Sequence, residues 1–179
     1  EEVGRWLAEG KIVGWFQGRS EFGPRALGNR SILADPRSVE MKDVVNARVK
    51  FREEFRPFAP ATLEEEASTL FEMSKPSPYM TKAFPVREEK KATLGGVTHL
   101  NGTARVQTVS AESNPRFHAV IKAFANETGV PSVMNTSFNI KGQPIVETPL
   151  EAISTFASTG LDALVMGNFI VEKQRTPRA

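Results

Sequence analysis

Apolar residues recur at helical spacing in several segments of this chain and form short continuous runs in others. Val3, Trp6 and Leu7 share one face of a helix, whereas residues 12–16 form an apolar run of strand length. The strongest helical stripe covers residues 115–126, where apolar side chains recur three and four positions apart. The hydrophobic pattern therefore predicts a chain in which helices and strands alternate.

The same criteria extend over the whole chain. Helices are predicted over residues 3–10, 41–49, 64–71, 115–126 and 149–159. Strands are predicted over residues 12–16, 31–34, 61–63, 79–84, 103–110, 132–134, 161–166 and 169–171. This alternation favours an α/β domain with a mixed sheet. We expect one domain over residues 1–173 and a disordered tail over residues 174–179.

Capping residues support two of the helices. Pro115 suits the first turn of its helix and Gly129 suits its end, because proline has a preset φ and glycine accepts left-handed backbone. Thr148, Pro149 and Glu151 have the spacing of a capping box with proline at the first helical position. The boundaries of these two helices are therefore predicted more firmly than the others.

Composition narrows the class of protein. Hydrophobic residues make up 40% and charged residues 25%, which is ordinary for a globular protein. A net charge of +2 does not by itself indicate binding to nucleic acid or to a membrane. There is no cysteine and there are two histidines, so disulfides and thiolate metal sites are excluded and we expect no metal site. We see no signal peptide and no apolar run of about 18 residues, and we expect a cytoplasmic location.

Two segments carry the candidate chemistry. Residues 50–60, KFREEFRPFAP, place Lys50, Arg52 and Arg56 on a segment that its prolines keep from forming a regular helix. Guanidinium groups bind phosphate and carboxylate oxygens with paired hydrogen bonds, and a lysine adds a point charge. The alternative for this excess of cations is a solvated basic face.

The second segment, residues 135–144, reads NTSFNIKGQP and follows a predicted strand. We expect Asn135, Ser137 and Asn139 to lie on a turn, where such side chains also satisfy their own backbone. Cations on one side and neutral donors on the other would form a pocket for a small, highly charged anion.

Four sequence runs resemble one family. They are SEFGPRALGNRSILADPR (residues 20–37), KFREEFRPFAP (50–60), HLNGTARVQTV (99–109) and NTSFNIKGQPIVETP (135–149). Together they closely resemble the C-terminal domain of the NodU/CmcH carbamoyltransferase family, which is similar to the YrdC-like fold. The resemblance implies an α/β fold, a YrdC-like domain with a twisted mixed β-sheet and flanking helices. Lys50-Phe51-Arg52 and Ser137-Phe138-Asn139 match the Lys-x-Arg and Ser-x-Asn signatures of that fold.

The resemblance also implies roles for individual residues. Lys50, Arg56, Arg105 and Ser137 are the expected catalytic residues. The expected contacts to carbamoyl phosphate or ATP are Arg25, Arg30, Lys50, Arg52, Arg56, Arg105, Asn135, Ser137 and Asn139. Position 101 is Asn where the family more often has Asp, and the roles of Asn101 and His99 stay open.

The implied function is activation of a carbamoyl group. Carbamoyl phosphate and ATP, with Mg²⁺ on the nucleotide, would yield carbamoyl adenylate. A missing N-terminal domain of the actin/hexokinase type, which holds its own metal, would pass the group to an acceptor hydroxyl. The chain begins EEVGRW without methionine, and we expect it to be a piece of such a polypeptide.

Two other functions remain open at this stage. One is a YrdC-like module that binds a nucleotide or RNA, and the other is an interaction domain with a degenerate pocket. The length of the matched runs disfavours the first, and the presence of Lys50, Arg56, Arg105 and Ser137 disfavours the second. We therefore expect a carbamoyltransferase domain with no nucleic-acid partner and no membrane partner.

Overall fold

A seven-stranded mixed sheet forms the centre of the protein. The computed structural model describes residues 1–53 and 55–173. The helices are α1 (Glu2–Ala8), α2 (Val39–Val45), α3 (Ala67–Leu70), α4 (Pro115–Thr128) and α5 (Pro149–Ser158). The strands are β1 (Val13–Phe16), β2 (Arg30–Ala34), β3 (Ala59–Leu63), β4 (Phe84–Pro85), β5 (Thr103–Ala104), β6 (Gln107–Val109), β7 (Ser132–Ser137), β8 (Ala163–Met166) and β9 (Phe169–Glu172).

The sheet order is β6-β3-β7-β2-β1-β8-β9, while β4 and β5 form a separate two-stranded sheet. The pairs β1/β8 and β3/β6 are parallel, and the other pairs of the large sheet are antiparallel. The predicted mixed sheet with flanking helices is confirmed. Strand β7 carries residues of the second sequence segment, and its neighbour β3 begins with the last two residues of the first, so the sheet brings the two segments together.

Local sequence signals place the two capped helices. The Asn114 side chain accepts a hydrogen bond from the Phe117 amide at 3.1 Å, and Gly129 adopts φ 74° where α4 ends. The helix extends two residues beyond the predicted 115–126, and its apolar stripe, including Ile121, is fully buried. The Thr148/Glu151 capping box forms as predicted at the start of α5. These ends are well predicted because each cap is made by residues a few positions away.

Other boundaries differ from the predictions. The helix predicted over residues 41–49 is α2 followed by a π-helical turn, Asn46–Lys50. The segment predicted as a helix over residues 64–71 divides into a 3₁₀ turn, Glu64–Glu66, and α3. The strand predicted over residues 79–84 is wrong, because only Phe84–Pro85 are extended and Met80 has φ 52°.

Two corrections bear directly on the site. Strand β7 continues to Ser137, so Asn135 and Ser137 lie on a central strand and not on the predicted turn. Pairing with β2 and β3 on both sides extends the strand into its polar residues. The strand predicted over residues 103–110 is split at Arg105, because β5 pairs with β4 whereas β6 pairs with β3.

Within the described ranges, no helix has both the length and the apolar character needed to cross a membrane. The predicted tail, residues 174–179, lies outside the described residues.

Candidate anion-binding site

Lys50 lies at the end of the π-helical turn with its ammonium group inside the protein. The residue is only 4% exposed. Its Nζ donates to the carbonyls of Ser137 at 2.9 Å and Asn139 at 2.8 Å, and to Oδ1 of Asn139 at 2.7 Å. Burial, followed by repulsion from Arg52 and Arg56, lowers the pKa of Lys50 to about 7. Lys50, which the sequence predicts to contact phosphate, is therefore a buried residue whose ammonium is hydrogen-bonded to neutral oxygens of the protein.

The chain after β7 is shaped around this ammonium. Ser137 Oγ donates to Oδ1 of Asn139 at 2.7 Å, and Asn139 Nδ2 donates to the carbonyl of Gln143 at 2.7 Å. The Lys-x-Arg and Ser-x-Asn segments thus meet in space although 87 positions separate Lys50 from Ser137. Their contact orders the loop that follows Asn139.

Arg52 and Arg105 are half-buried cations. The Arg52 guanidinium lies 4.4 Å from the centre of the Phe58 ring and donates to the carbonyl of Pro57 at 3.3 Å. Burial, then repulsion from Arg56 and Arg105, lowers the pKa of Arg52 to about 10. Among the described residues, Nε of Arg52 and Nε of Arg105 are both buried and have no hydrogen-bond partner.

Arg105 lies electrostatically between Arg25 on one side and Arg52 with Arg56 on the other. Its pKa is lowered by burial first and then by the charges of Arg25 and Arg56. Five cations therefore act electrostatically on one another. We call them the cation cluster: Lys50, Arg52, Arg56, Arg105 and Arg25.

Glu53 is a negatively charged residue beside the cation cluster. Glu53 lies 3.9 Å from Arg56, and its shorter contact, 3.1 Å, is with Lys141 outside the cluster. Repulsion of this kind is relieved when an anion binds between the cations. The arrangement is therefore typical of an anion-binding site.

Two cavities adjoin the cation cluster. A cavity of about 150 Å³ is lined by Lys50, Arg52, Arg56, Ser137 and Asn139, among others. A larger one, of about 500 Å³, has Arg25 and Arg105 in its wall together with Phe22, Tyr79 and Met80. The small cavity has the scale of a single phosphate-sized group, whereas the large one has room for a larger ligand with an aromatic part.

Arg30 differs from the other predicted ligand residues. It is buried, and its terminal nitrogens donate to the carbonyls of Gln17 at 2.8 Å, Asn29 at 3.1 Å, Gly18 at 3.1 Å and Glu147 at 3.4 Å. Its guanidinium also stacks on the Phe16 ring at 3.6 Å. These contacts hold the loop in place, so Arg30 acts here as a structural residue.

Sequence reasoning missed the carboxylate that organises this loop. Oε1 of Glu21 accepts hydrogen bonds from the amides of Leu27 at 2.6 Å, Asn29 at 2.8 Å and Arg30 at 3.3 Å. Backbone amides of this loop therefore converge on an anion of the protein itself. A lone acid in a Gly/Pro-rich loop is the sequence signal for this arrangement.

Asn135 lies buried between this loop and β6. Its Nδ2 donates to the carbonyl of Ala26 at 3.1 Å and to Oε1 of Gln107 at 2.8 Å, and among the described residues its buried Oδ1 has no hydrogen-bond partner. Gln107 in turn donates to the carbonyl of Leu27 at 2.8 Å. Gln107 was not among the predicted site residues, although it lies two positions after Arg105 in the predicted strand over residues 103–110.

The donors of the site suit phosphate and carbamoyl groups. Arginine N–H groups can bind phosphate oxygens, and Oδ1 of Asn135 can accept a hydrogen bond from the NH2 of a carbamoyl group. Among residues 1–53 and 55–173, no group of three or more His, Cys, Asp or Glu side chains is placed to hold a metal ion.

The fold defines a class, a domain of the YrdC-like fold with flanking helices on a mixed sheet. The structure of full-length HypF in its phosphate- and nucleotide-bound form is similar, with a TM-score of 0.66 at 19% identity, over 93% of this chain and 24% of that one. Such low identity shows the fold alone, and the expected YrdC-like fold is confirmed.

The sequence assigns the family within that class. Residues 4–173 match the family described as Carbamoyltransferase C-terminus, and the chain belongs to this family. Nodulation protein NolO of Bradyrhizobium diazoefficiens is 55% identical over 94% of this chain and 31% of its own length. The 3'-hydroxymethylcephem-O-carbamoyltransferase of Amycolatopsis lactamdurans is 39% identical over 94% of this chain and 32% of its own length. The chain spans about a third of these relatives.

Proposed function

We propose that this chain is the carbamoyl-activating domain of an O-carbamoyltransferase. It binds carbamoyl phosphate and ATP and forms carbamoyl adenylate, which the rest of the polypeptide uses to carbamoylate a hydroxyl group. The observation that carries the proposal is the cation cluster, which gathers positive charge beside Ser137 and Asn139. Membership of the Carbamoyltransferase C-terminus family supports it independently.

The chemistry has two steps. Water first cleaves carbamoyl phosphate into carbamate and inorganic phosphate. A carbamate oxygen then attacks the α-phosphorus of ATP, the bond from that phosphorus to the pyrophosphate oxygen breaks, and pyrophosphate leaves. Both steps move charge onto phosphate oxygens, so positioned cations supply most of the catalysis, and the exclusion of further water protects carbamoyl adenylate from hydrolysis.

The cavities support a division of labour between the cations. In this proposal, carbamoyl phosphate occupies the cavity of about 150 Å³, where Arg52 and Arg56 reach its phosphate and Ser137 contacts it as well. The nucleotide occupies the cavity of about 500 Å³, which contains Arg25 and Arg105. Because Arg105 interacts with cations of both groups, it is the residue best placed to act on the phosphorus where the two ligands react.

Lys50 has a different part in this scheme. Its ammonium is directed to the oxygens of Ser137 and Asn139, so it contributes charge to the small cavity and holds these residues in position. Mg²⁺ would accompany the nucleotide, and no step described here depends on a ligand for it from this chain. The acceptor hydroxyl and a metal of its own would belong to the N-terminal actin/hexokinase-type domain.

The test is exchange of labelled pyrophosphate into ATP, measured on this chain. We expect exchange when carbamoyl phosphate and Mg²⁺ are present and none when carbamoyl phosphate is omitted. Arg105→Ala should abolish exchange, while Arg5→Ala, an exposed change of the same charge on α1, should leave it unchanged.

Binding measurements beside the exchange assay separate the other functions. Tight RNA binding without exchange would favour the nucleotide or RNA module. Absence of binding to both carbamoyl phosphate and ATP would favour a degenerate pocket. Carbamoylation of an added hydroxyl acceptor by this chain alone would contradict the division between activation and transfer.

A further inference from the structure

Two buried side-chain atoms on neighbouring segments are chemically complementary. In the part of the chain that the structure describes, Nε2 of His99 and Nε of Arg105 are both buried without a hydrogen bond. The His99 amide donates to the carbonyl of Thr103 at 2.7 Å, which places His99 beside the chain that leads into Arg105, and the charge of Arg105 acts on His99. An unpaired buried polar atom is costly, so a state in which each satisfies the other is favoured.

The hydrogen bonds around His99 decide which of its nitrogens carries the proton. Oδ1 of Asn101 accepts from the Thr103 amide at 3.2 Å and from the Thr103 hydroxyl at 2.8 Å. A hydroxyl has one hydrogen, so Oγ1 of Thr103 acts as the acceptor in its 3.1 Å contact with Nδ1 of His99. Nδ1 is therefore protonated, and Nε2 of the neutral ring carries the lone pair.

The surroundings of His99 keep the ring neutral. Its pKa lies below the ordinary value, first because of burial and then because of the charge of Arg105. Lys42 of α2, another cation, lines the same cavity of about 290 Å³ as His99, with Phe55 and Phe58. Nε2 is thus a hydrogen-bond acceptor, and Nε of Arg105 is an unpaired donor whose charge reaches it.

We propose that His99 is a positioning residue for Arg105: when an anion binds, Nε–H of Arg105 donates to Nε2 of His99, and the terminal guanidinium nitrogens face the anion. Asn101 and Thr103 set the His99 tautomer that makes this possible. This inference rests on the proposed function, because Arg105 is taken to contact ATP. In this inference, His99, Asn101 and Thr103 act together to orient the guanidinium of Arg105.

Two substitutions of His99 separate its two nitrogens. The amide of His99→Asn can replace Nδ1–H toward Thr103 but leaves no acceptor for Arg105. The longer His99→Gln places an amide oxygen near the position of Nε2 and loses the bond to Thr103. We expect His99→Asn to weaken ATP binding about tenfold, the effect of one charge-assisted hydrogen bond, and His99→Gln to bind close to wild type.

A second pair of variants tests the tautomer without changing the histidine. Thr103→Val removes the hydroxyl that accepts from Nδ1 and keeps the shape of the side chain. Thr98→Val is the matched control, because the Thr98 hydroxyl donates to the carbonyl of Leu94 at 2.8 Å and takes no part in the hydrogen bonds that link Asn101, Thr103 and His99. Thr103→Val should weaken ATP binding and Thr98→Val should not, and this pair decides if His99→Asn does not fold.

Arg105→Ala completes the experiment, with ATP affinity measured by calorimetry and folding by thermal unfolding. In the Arg105→Ala background, His99→Asn should cause no further loss, because its effect passes through Arg105. Equal affinities of wild type, His99→Asn and His99→Gln would overturn the inference, as would equal losses in both variants. If Arg105→Ala itself binds ATP normally, the proposed function fails instead.

Discussion

Nζ of Lys50 donates a hydrogen bond to Oδ1 of Asn139 at 2.7 Å, which joins the end of a π-helical turn to the chain that leaves β7. The same ammonium also bonds to the carbonyls of Ser137 and Asn139. The two signatures of the YrdC-like fold therefore form one bonded unit. Arg52, the last residue of the first signature, and Arg56 line the cavity beside it.

Lys50→Met should lower ligand affinity and change how stability depends on pH. It leaves the oxygens of Ser137 and Asn139 without their donor, which costs about 1–3 kcal/mol, but it also removes a buried ammonium whose lowered pKa opposes folding below pH 10.5. Binding of both carbamoyl phosphate and ATP should weaken. Lys141→Met is the control, because Lys141 lines the same cavity but its side chain is 60% exposed. Denaturant unfolding and calorimetry measure the two effects, and equal behaviour of the two variants would contradict this role.

Lys50 should couple ligand binding to pH. Its pKa of about 7 means that the free site loses the proton as the pH rises through neutrality. A bound phosphate favours the ammonium form and raises this pKa, so binding takes up a proton, and affinity falls as the pH rises above about 7. Calorimetry in buffers of different ionisation enthalpy measures the uptake, which Lys50→Met should remove. Unchanged uptake in that variant would assign the proton to another group.

The same pKa has a consequence for stability. The lysine titrates near 10.5 when unfolded and near 7 when folded. Between these values the unfolded chain binds more protons, so the Lys50 contribution to the free energy of unfolding should rise with pH across this window.

Arg56→Ala should weaken carbamoyl phosphate binding more than loss of an ordinary surface arginine. A charge-assisted hydrogen bond to the ligand contributes about 1.5–3 kcal/mol, at least about tenfold in affinity, whereas an exposed pair contributes at most about 1 kcal/mol. Titrations at equal salt should compare Arg56→Ala with Arg5→Ala, which removes the same charge from an exposed position on α1. Affinities within about twofold of each other would place Arg56 outside the site.

Asn135→Ala should impair use of carbamoyl phosphate more than binding of ATP. Oδ1 of Asn135 is buried and has no hydrogen-bond partner in the part of the chain that the structure describes, so it can accept from the NH2 of a carbamoyl group. Thr136→Ala, one position along the same strand, is the control. Calorimetry with each ligand separately provides the comparison. If ATP binding is lost and carbamoyl phosphate binding is unaffected, Asn135 belongs to the nucleotide site.

Glu21→Ala should loosen the loop that carries Arg25. It removes the acceptor of the amides of Leu27, Asn29 and Arg30, and we expect about 1–3 kcal/mol lower stability together with weaker ATP binding. Glu21→Gln keeps an acceptor oxygen and should retain most of both. Thermal unfolding and limited proteolysis of the loop provide the measurements, and equal loss in the two variants would show that the carboxylate charge is what matters.

The sequence was sufficient where the structure depends on neighbouring residues. Helix α4 has its apolar stripe, its Asn114 cap and its terminal Gly129 within a short segment, and the Thr148/Glu151 box starts α5 in the same way. The family was also recognisable, because the long sequence runs that contain Lys50, Arg105 and Ser137 match the pattern of the family. The roles predicted for the individual site residues stay predictions.

Only the tertiary structure decided which of these residues face one another. Strand β7 runs on to Ser137 because β2 and β3 pair with it, and no local signal marks such hydrogen bonds. Arg25 and Arg30 lie close together in the sequence, yet Arg30 is bound by backbone carbonyls while Arg25 joins the cation cluster. The lowered pKa values of Lys50 and Arg52 likewise arise from burial and from charges on distant segments. Electrostatic energy and desolvation depend on distances in space, so residue types and spacing predict the chemistry of the site but not its charge balance.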